Sequence, residues 1–295
     1  MPWDDADPPP LAAVPFHDLE NGFPAKFYKF DMFHVLKHGL GREVCASSVM
    51  LLCRLGYMDE AGSSKNLPDR LSRCFGHFSL WCKAEHKVTF FKKFTLENFH
   101  ATRNRFPYIG GKGSDCTLIL HFLSFMVRLL LPDCKSADRI PLSCMLQCVE
   151  SMLNFIGICH SHGLWLPNSC AAVAWRSGIK SLRAYSWLAR FCMQKKLKLY
   201  ALRPKFHSFA EMVYEMRGHT ERGVQWVLSP VTYNCEMNED FIGRISVLSR
   251  RVHTGLQIKR VLQRYGLQFK ARLDELKSAQ RRQLRAPQAG RKGRQ

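Results

Sequence analysis

The sequence predicts an all-α fold, a multi-helix bundle with at most a minor strand element. Three observations carry this reading. Apolar residues recur at three- and four-residue steps along most of the 295-residue chain, the period of a helix buried on one face. Strict apolar–polar alternation, the mark of a half-buried strand, is scarce. The stretches between periodic segments are short, as in a bundle of packed helices. Composition agrees: 46% apolar and 23% charged, which is globular and too apolar for wholesale disorder. Twenty Phe, 12 Cys and 11 Met point to a sizeable, soft core. No internal repeat of fixed period is found.

The elements follow in order. Residues 1–29 carry Pro8, Pro9, Pro10, Pro15 and Pro24. Each ring removes a donor and disfavours helix before it, so an extended arm is expected there. A start inside such an arm is consistent with a chain cut from something longer. Phe30 to Leu55 is helical in period, with Gly39 and Gly41 predicting a kink or two helices. Leu67 to His86 turns Leu71, Cys74, Phe75, Phe78 and Cys82 inward. Lys87 to Phe91 is the best strand candidate. Thr95 to Thr102 reads as a short helix with Thr95 as N-cap. A glycine-rich connector, Phe106 to Asp115, leads to an apolar helix from Cys116 to Leu131, stopped by Pro132. Pro141 opens a helix through Cys159. Asn168 to Lys198 is a long one, with Ala171, Ala174, Trp175, Ile179, Leu182, Tyr185, Leu188 and Cys192 on one face. Pro204 opens another through Met216. Glu239 to His253 and Leu256 to Leu284 close the chain. The expected organisation is an arm (1–29), a helical domain (30–253), a basic amphipathic helix (254–284) and a disordered basic tail (285–295).

Charge is concentrated at the C-terminus. The chain carries 44 Lys and Arg against 24 Asp and Glu, a net +20. Arg244 to Gln295 holds 15 of the basic residues and only Asp274 and Glu275 as acids, +13 in 52 residues. The other 243 residues amount to +7. A cationic segment of this kind binds polyanions by releasing their counterions. Two periodic segments lie in it. Phe241, Ile245, Leu248 and Val252 are expected to face inward in the first. Ile258, Val261, Leu262, Tyr265, Phe269, Leu273 and Leu276 form a stripe in the second. The cations fall largely off both stripes: Arg244, Arg250 and Arg251, then Lys259, Arg260, Arg264, Lys270, Arg272 and Lys277. Arg281, Arg282 and Arg285 continue the series. No base-reading motif accompanies them, so binding to DNA or RNA through the phosphate backbone would be independent of sequence.

Other constellations read as structural. Gly110-Gly111-Lys112-Gly113-Ser114-Asp115 looks like a phosphate cradle. It lacks the Lys-Ser/Thr pair and the glycine five residues earlier, where Pro107 stands. Ser114 or Asp115 more simply caps the next helix. Cys144, Cys148, Cys159, His160, His162 and Cys170 invite a zinc reading, but Cys144 and Cys148 are one helical turn apart in an apolar helix, which is core spacing. His160 and His162 remain as the metal-ligand alternative. The expected metal and cofactor content is none, and the cysteines are expected to be reduced and in the helical core. No G-x-S-x-G or recognisable Cys/His nucleophile context occurs. Of the acid pairs Asp4/Asp5, Asp59/Glu60 and Glu239/Asp240, only the last lies in a structured, basic neighbourhood.

Two segments carry a resemblance. Asp31-Met32-Phe33-His34, continuing as LKHGLGR from Leu36 to Arg42, resembles the Asp-x-x-His segment of cut-and-paste DDE transposases. Arg203-Pro204-Lys205-Phe206-His207, with Asn238-Glu239-Asp240-Phe241-Ile242-Gly243 downstream, resembles the Pro-Lys-x-His and later acidic segment of the same enzymes. The chain is also similar over nearly its full length to mobile-element-derived protist proteins. In these, D-x-F-H, K-G-S-D, G-L-W-L and E-D-F-I-G recur in order, here Asp31 to His34, Lys112 to Asp115, Gly163 to Leu166 and Glu239 to Gly243. That group brings no assigned activity. The transposase resemblance implies a metal-dependent chemistry with three carboxylates holding two divalent ions. It offers Asp31, His34, Glu239 and Asp240 as catalytic candidates, and no strand-borne Asp precedes Asp31. A catalytic half would therefore lie outside this chain.

The resulting expectation is a non-catalytic basic helical protein with sequence-independent nucleic-acid association, with a mobile-element remnant as its conceivable origin. A helical protein-interaction scaffold and a metal-dependent nuclease or transposase fragment are the alternatives. No secretory signal or membrane span is read in the sequence. The expected setting is intracellular, nuclear before cytoplasmic.

Overall fold

The computed structural model describes residues 29–102, 104–250, 252 and 257–285, with the backbone alone for 237–240, 244, 257, 258, 279 and 281–285. The expected arm, apart from Lys29, and the expected tail beyond Arg285 lie outside the described residues. The fold is all-α. Its helices are α1 (Phe33–Leu40), α2 (Gly41–Leu55), α3 (Leu67–Ala84), α4 (Gly113–Leu130), α5 (Arg139–Ser161), α6 (Asn168–Gln194), α7 (Pro204–Glu221), α8 (Glu236–Ser249) and α9 (Gln257–Arg285). The minor strand element is one antiparallel pair, β1 (Trp165–Pro167) and β2 (Trp226–Leu228), with Leu166 opposite Val227. The chain divides into two compact units, one through Asn234 and one from Cys235.

In the first unit α5, α6 and α7 pack in sequence, with α4 on α5 and α2 on α4. With α3 they share a core that includes Leu51, Leu52, Phe78, Phe122, Phe155, Tyr185 and Phe209, all fully buried. The kink expected near Gly39 is present. α1 winds more widely than an α-helix, so that the Gly41 N–H donates to Leu36 O, and Gly39 departs from helical geometry at φ −119°, ψ −109°. A side chain at Gly178 of α6 would meet Val213 Cγ2 of α7 at 2.4 Å, so glycine sets the close approach of this helix pair. Both α4 and the stretch Ser136–Ser161 are long and apolar enough to cross a membrane by length and hydropathy alone; half of each is buried in the fold. Facing polar groups join them: Glu150 of α5 accepts from Ser124 Oγ at 2.8 Å and Arg128 Nε at 2.5 Å.

Three local expectations are corrected. Lys87 to Phe91 is not a strand, because Thr89 Oγ1 and the Phe90 N–H both donate to Asp115 Oδ1, at 3.0 and 3.1 Å, rather than to a neighbouring chain. Thr95 does cap, accepting from the Asn98 N–H at 3.2 Å, but it opens a turn and not a helix. The Ala101 N–H reaches back to Leu96 O and His100 takes φ +42°, which ends the turn. The helix expected from Glu239 begins at Glu236. Asp240 therefore stands in its second turn, beyond the orphan N–H groups that an acid offsets best.

Candidate nucleic-acid interface

In the second unit, α9 is built from good helix formers: Leu, Lys, Arg, Gln and Ala fill most of Gln257–Arg285. Lys259, Arg260, Arg264, Lys270, Arg272 and Lys277 are all exposed on it. Lys270 and Lys277 are two turns apart and share a face. Among these cations, Arg272 donates to Glu275 Oε2 at 2.9 Å. Arg250, at the end of α8, is exposed as well. Arg244 belongs to α8 and Arg281, Arg282 and Arg285 to α9, but their side chains lie outside the described residues, as does Arg251 altogether. The apolar stripe is covered only near the helix start. Val261 is buried, and Tyr265 meets Phe241 of α8 edge to face at 5.1 Å. Leu262 and Phe269 are 60% exposed and Leu276 55%.

A second cationic surface lies in the first unit, away from every local motif in the sequence. Residues 151–210 contain nine Lys and Arg and no Asp or Glu. That signal was legible as a charge run; the total of +7 outside the C-terminus hid it. Within α6, Arg176, Lys180, Arg183, Trp187 and Arg190 recur at four- and three-residue steps, and all five are exposed. They form one ridge, and none of the four cations is ion-paired with a described residue. Lys195, Lys196 and Lys198 follow in the connection to α7 and are also exposed.

This connection is fixed from beneath. Tyr200 fully buries its ring, its N–H donates to Ser47 Oγ at 2.9 Å, and its hydroxyl meets Ser48 Oγ at 2.9 Å. The Tyr185 hydroxyl donates to Ala201 O at 2.7 Å and to Glu43 Oε2 at 3.3 Å. Arg203 Nη1 stands 3.2 Å from Glu43 Oε1. Burial pushes the Glu43 carboxyl above its ordinary value, and Arg203 and Tyr185 pull it part of the way back. Lys196 and Tyr200 both hold φ +55°, a left-handed conformation that costs a side-chain-bearing residue roughly 1–2 kcal/mol. The buried network offsets that cost and holds the backbone of the connection in one shape.

Of the remaining candidates, Asp115, Asp31 and His34 make local hydrogen bonds. In the glycine loop, Asp115 is 2% exposed. Besides Thr89 and Phe90 it accepts from the Lys112 N–H at 3.3 Å, closing the start of α4. Lys112 Nζ lies 3.9 Å from the Phe90 ring centre. A buried carboxylate at this helix start repels an incoming phosphate. Asp31 acts as a cap, accepting from the Phe33 and His34 N–H groups at 3.0 and 3.1 Å. His34 Nδ1 lies 2.5 Å from Asp31 Oδ2, so the pair shares a hydrogen bond across one turn. Glu239 and Asp240 are placed in α8, and their side chains lie outside the described residues.

All twelve cysteines are free thiols. Eight are buried, and Cys134, Cys144, Cys170 and Cys235 are partly so. Burial pushes Cys148, Cys159 and Cys192 up to about 12. Of the six residues in the zinc reading the structure brings together His162 and Cys170: Cys170 Sγ lies 3.4 Å from His162 Nε2, and His162 Nδ1 lies 2.7 Å from Ser161 Oγ. Cys148 instead lies against Ser181. A closed zinc site needs four ligands, and this pair supplies two. Comparison of the chain with protein-family models, curated proteins and solved structures gives no match.

Proposed function

We propose that the chain is a non-catalytic, basic helical protein that associates with nucleic acid without reading its sequence. One observation carries this reading: α9 exposes Lys259, Arg260, Arg264, Lys270, Arg272 and Lys277, with only Asp274 and Glu275 against them. A straight, exposed cationic helix lies along a phosphate backbone, and each phosphate it neutralises releases a counterion. Origin from a mobile element and action inside the cell, in the nucleus before the cytoplasm, belong to the same proposal. The test is a fluorescence-anisotropy titration of labelled duplex DNA and RNA with the parent chain and a triple variant, Arg251→Gln, Lys259→Gln and Arg264→Gln. The variant is expected to bind several-fold more weakly on every sequence. Its salt slope should flatten by roughly 2 to 3, because each cation removed leaves one phosphate with its counterion. Equal binding by parent and variant overturns the assignment to these C-terminal cations.

A helical interaction scaffold is the second reading, and a specific observation favours it. Leu262, Phe269 and Leu276 remain exposed along α9 beside the cations, a face that suits a partner helix. Under that reading, substitution of the three by Gln abolishes partner capture and leaves nucleic-acid affinity unchanged.

A further inference from the structure

We infer that the α6 face of the first unit is a separate binding groove for single-stranded nucleic acid. Two depressions meet there. One, of about 420 Å³, lies between α6 and α7 and is lined by Arg183, Trp187, Phe206 and Tyr214. The other, of about 790 Å³, runs under the connection after α6 and is lined by Phe106, Met193, Lys196, Lys198 and Leu202. Ser186 and Arg190 line both, so the depressions join into one track. No acidic residue lines either of them.

The chemistry of the track selects the ligand. Arg183 and Arg190 line the track, and they belong to the exposed α6 ridge that begins at Arg176, 14 residues or roughly 21 Å of helix at 1.5 Å per residue. Lys196 and Lys198 then prolong it. A polymer with a charge on every unit matches such a row better than a small anion does. Between the cations stand large rings and apolar side chains open to solvent. Trp187 is 37% exposed and lies parallel to Phe191, with centroids 5.4 Å apart, which fixes its plane. Tyr214 and Leu202 are more than half exposed. A duplex keeps its base faces inside its stack and has nothing to offer these rings. A single strand presents base faces to aromatic platforms and phosphates to the cations between them. The groove is also preformed, because the Glu43, Ser47 and Ser48 contacts of α2 hold the connection after α6 in place.

This site uses no residue of α9, and the test separates the two. The full-length chain is titrated into labelled 20-nucleotide oligo-dT and into a 20-base-pair duplex at several salt concentrations. One variant carries Arg183→Gln, Arg190→Gln, Lys196→Gln and Lys198→Gln; a second carries Trp187→Leu, and a third the stacking-competent Trp187→Phe. Circular dichroism and thermal melting confirm that each is folded. The quadruple variant is expected to lose tenfold or more in oligo-dT affinity and to flatten the salt slope by up to about 3, at roughly 0.7 per neutralised phosphate. Trp187→Leu is expected to cost about fivefold or more on oligo-dT, to change duplex binding less than twofold, and to be largely restored in Trp187→Phe. Unchanged oligo-dT binding in both the quadruple and Leu variants overturns the groove and leaves the α9 reading intact. An equal loss on duplex and single strand in Trp187→Leu also overturns it, because the face is then a charge surface only. If the variants lose poly-glutamate binding while keeping oligo-dT, the groove takes acidic protein instead and the inference fails. Absence of salt-sensitive binding to either nucleic acid defeats both readings together.

Discussion

Asp115 shows how much a single carboxylate settles. It accepts from Thr89, Phe90 and Lys112 while almost fully buried, so it closes α4 and diverts the 87–91 segment from sheet pairing. Asp115→Ala removes a cap and leaves buried donors unsatisfied, and should cost about 2–4 kcal/mol, read as a shift in the urea midpoint at unchanged m-value. Improved phosphate binding by this variant would instead return the loop to the anion sites. Glu43 gives a pH prediction. Its folded carboxyl is raised, so between the ordinary carboxyl value and the raised one the folded state holds more protons, and stability falls as pH climbs through that window. Arg203→Ala removes the guanidinium that lowers the carboxyl and raises it further. The variant should lose about 1–3 kcal/mol near pH 7 and less below the ordinary carboxyl value, where the raised Glu43 carboxyl is neutral in the fold. Equal losses in both conditions would show that Arg203 acts by packing alone. The thiols give a third expectation. Cys134 and Cys170 are accessible, whereas Cys148, Cys159 and Cys192 are buried with raised pKa. Brief alkylation of the native protein at pH 8, read by peptide mass spectrometry, should label the first two and spare the last three.

Elements with a strong helical period were the most legible. Asn168 predicts the start of α6 and Pro204 that of α7, and Ala171, Ala174, Leu182, Tyr185, Leu188 and Cys192 are buried as their spacing requires. Short segments were not legible, because long-range polar contacts override local preference there, as Asp115 does at Phe90. The three-residue strands β1 and β2 exist only through each other, with Leu166 and Val227, 61 residues apart, opposite one another, and no local pattern announces such a pair. The α6–α7 contact adds a prediction. Gly178→Ala places a methyl against the branched and buried Val213, which has one favoured rotamer in a helix. Overpacking should cost about 1–3 kcal/mol, and Val213→Ala in the same chain should recover part of it. Thermal melts of the two single variants and the double variant measure that coupling.

At the scale of the whole molecule, charge is the organising quantity. The sequence announces the cationic C-terminus because fifteen basic residues meet only two acids in 52 positions. It also carries the α6 ridge, but the average over the remaining chain conceals sixty positions without a carboxylate. Folding exposes the difference: Arg176, Lys180, Arg183 and Arg190 share one outward face, while Asp31 and Asp115 close helix starts and Asp59 pairs with Arg70. The Asp31–His34 segment fares differently. Asp31 and His34 meet as the one-turn spacing implies, and their hydrogen bonds are those of a helix start. In the proposed function the protein holds nucleic acid by its phosphates. The most direct measurement is the affinity of the intact chain for labelled duplex DNA across a range of salt concentrations. If about six cations neutralise phosphates, the log–log slope should lie near −5, and removal of residues 285–295 should weaken binding without unfolding the helices. A chain that shows no salt-sensitive binding at low ionic strength contradicts the claim and leaves the scaffold reading in its place.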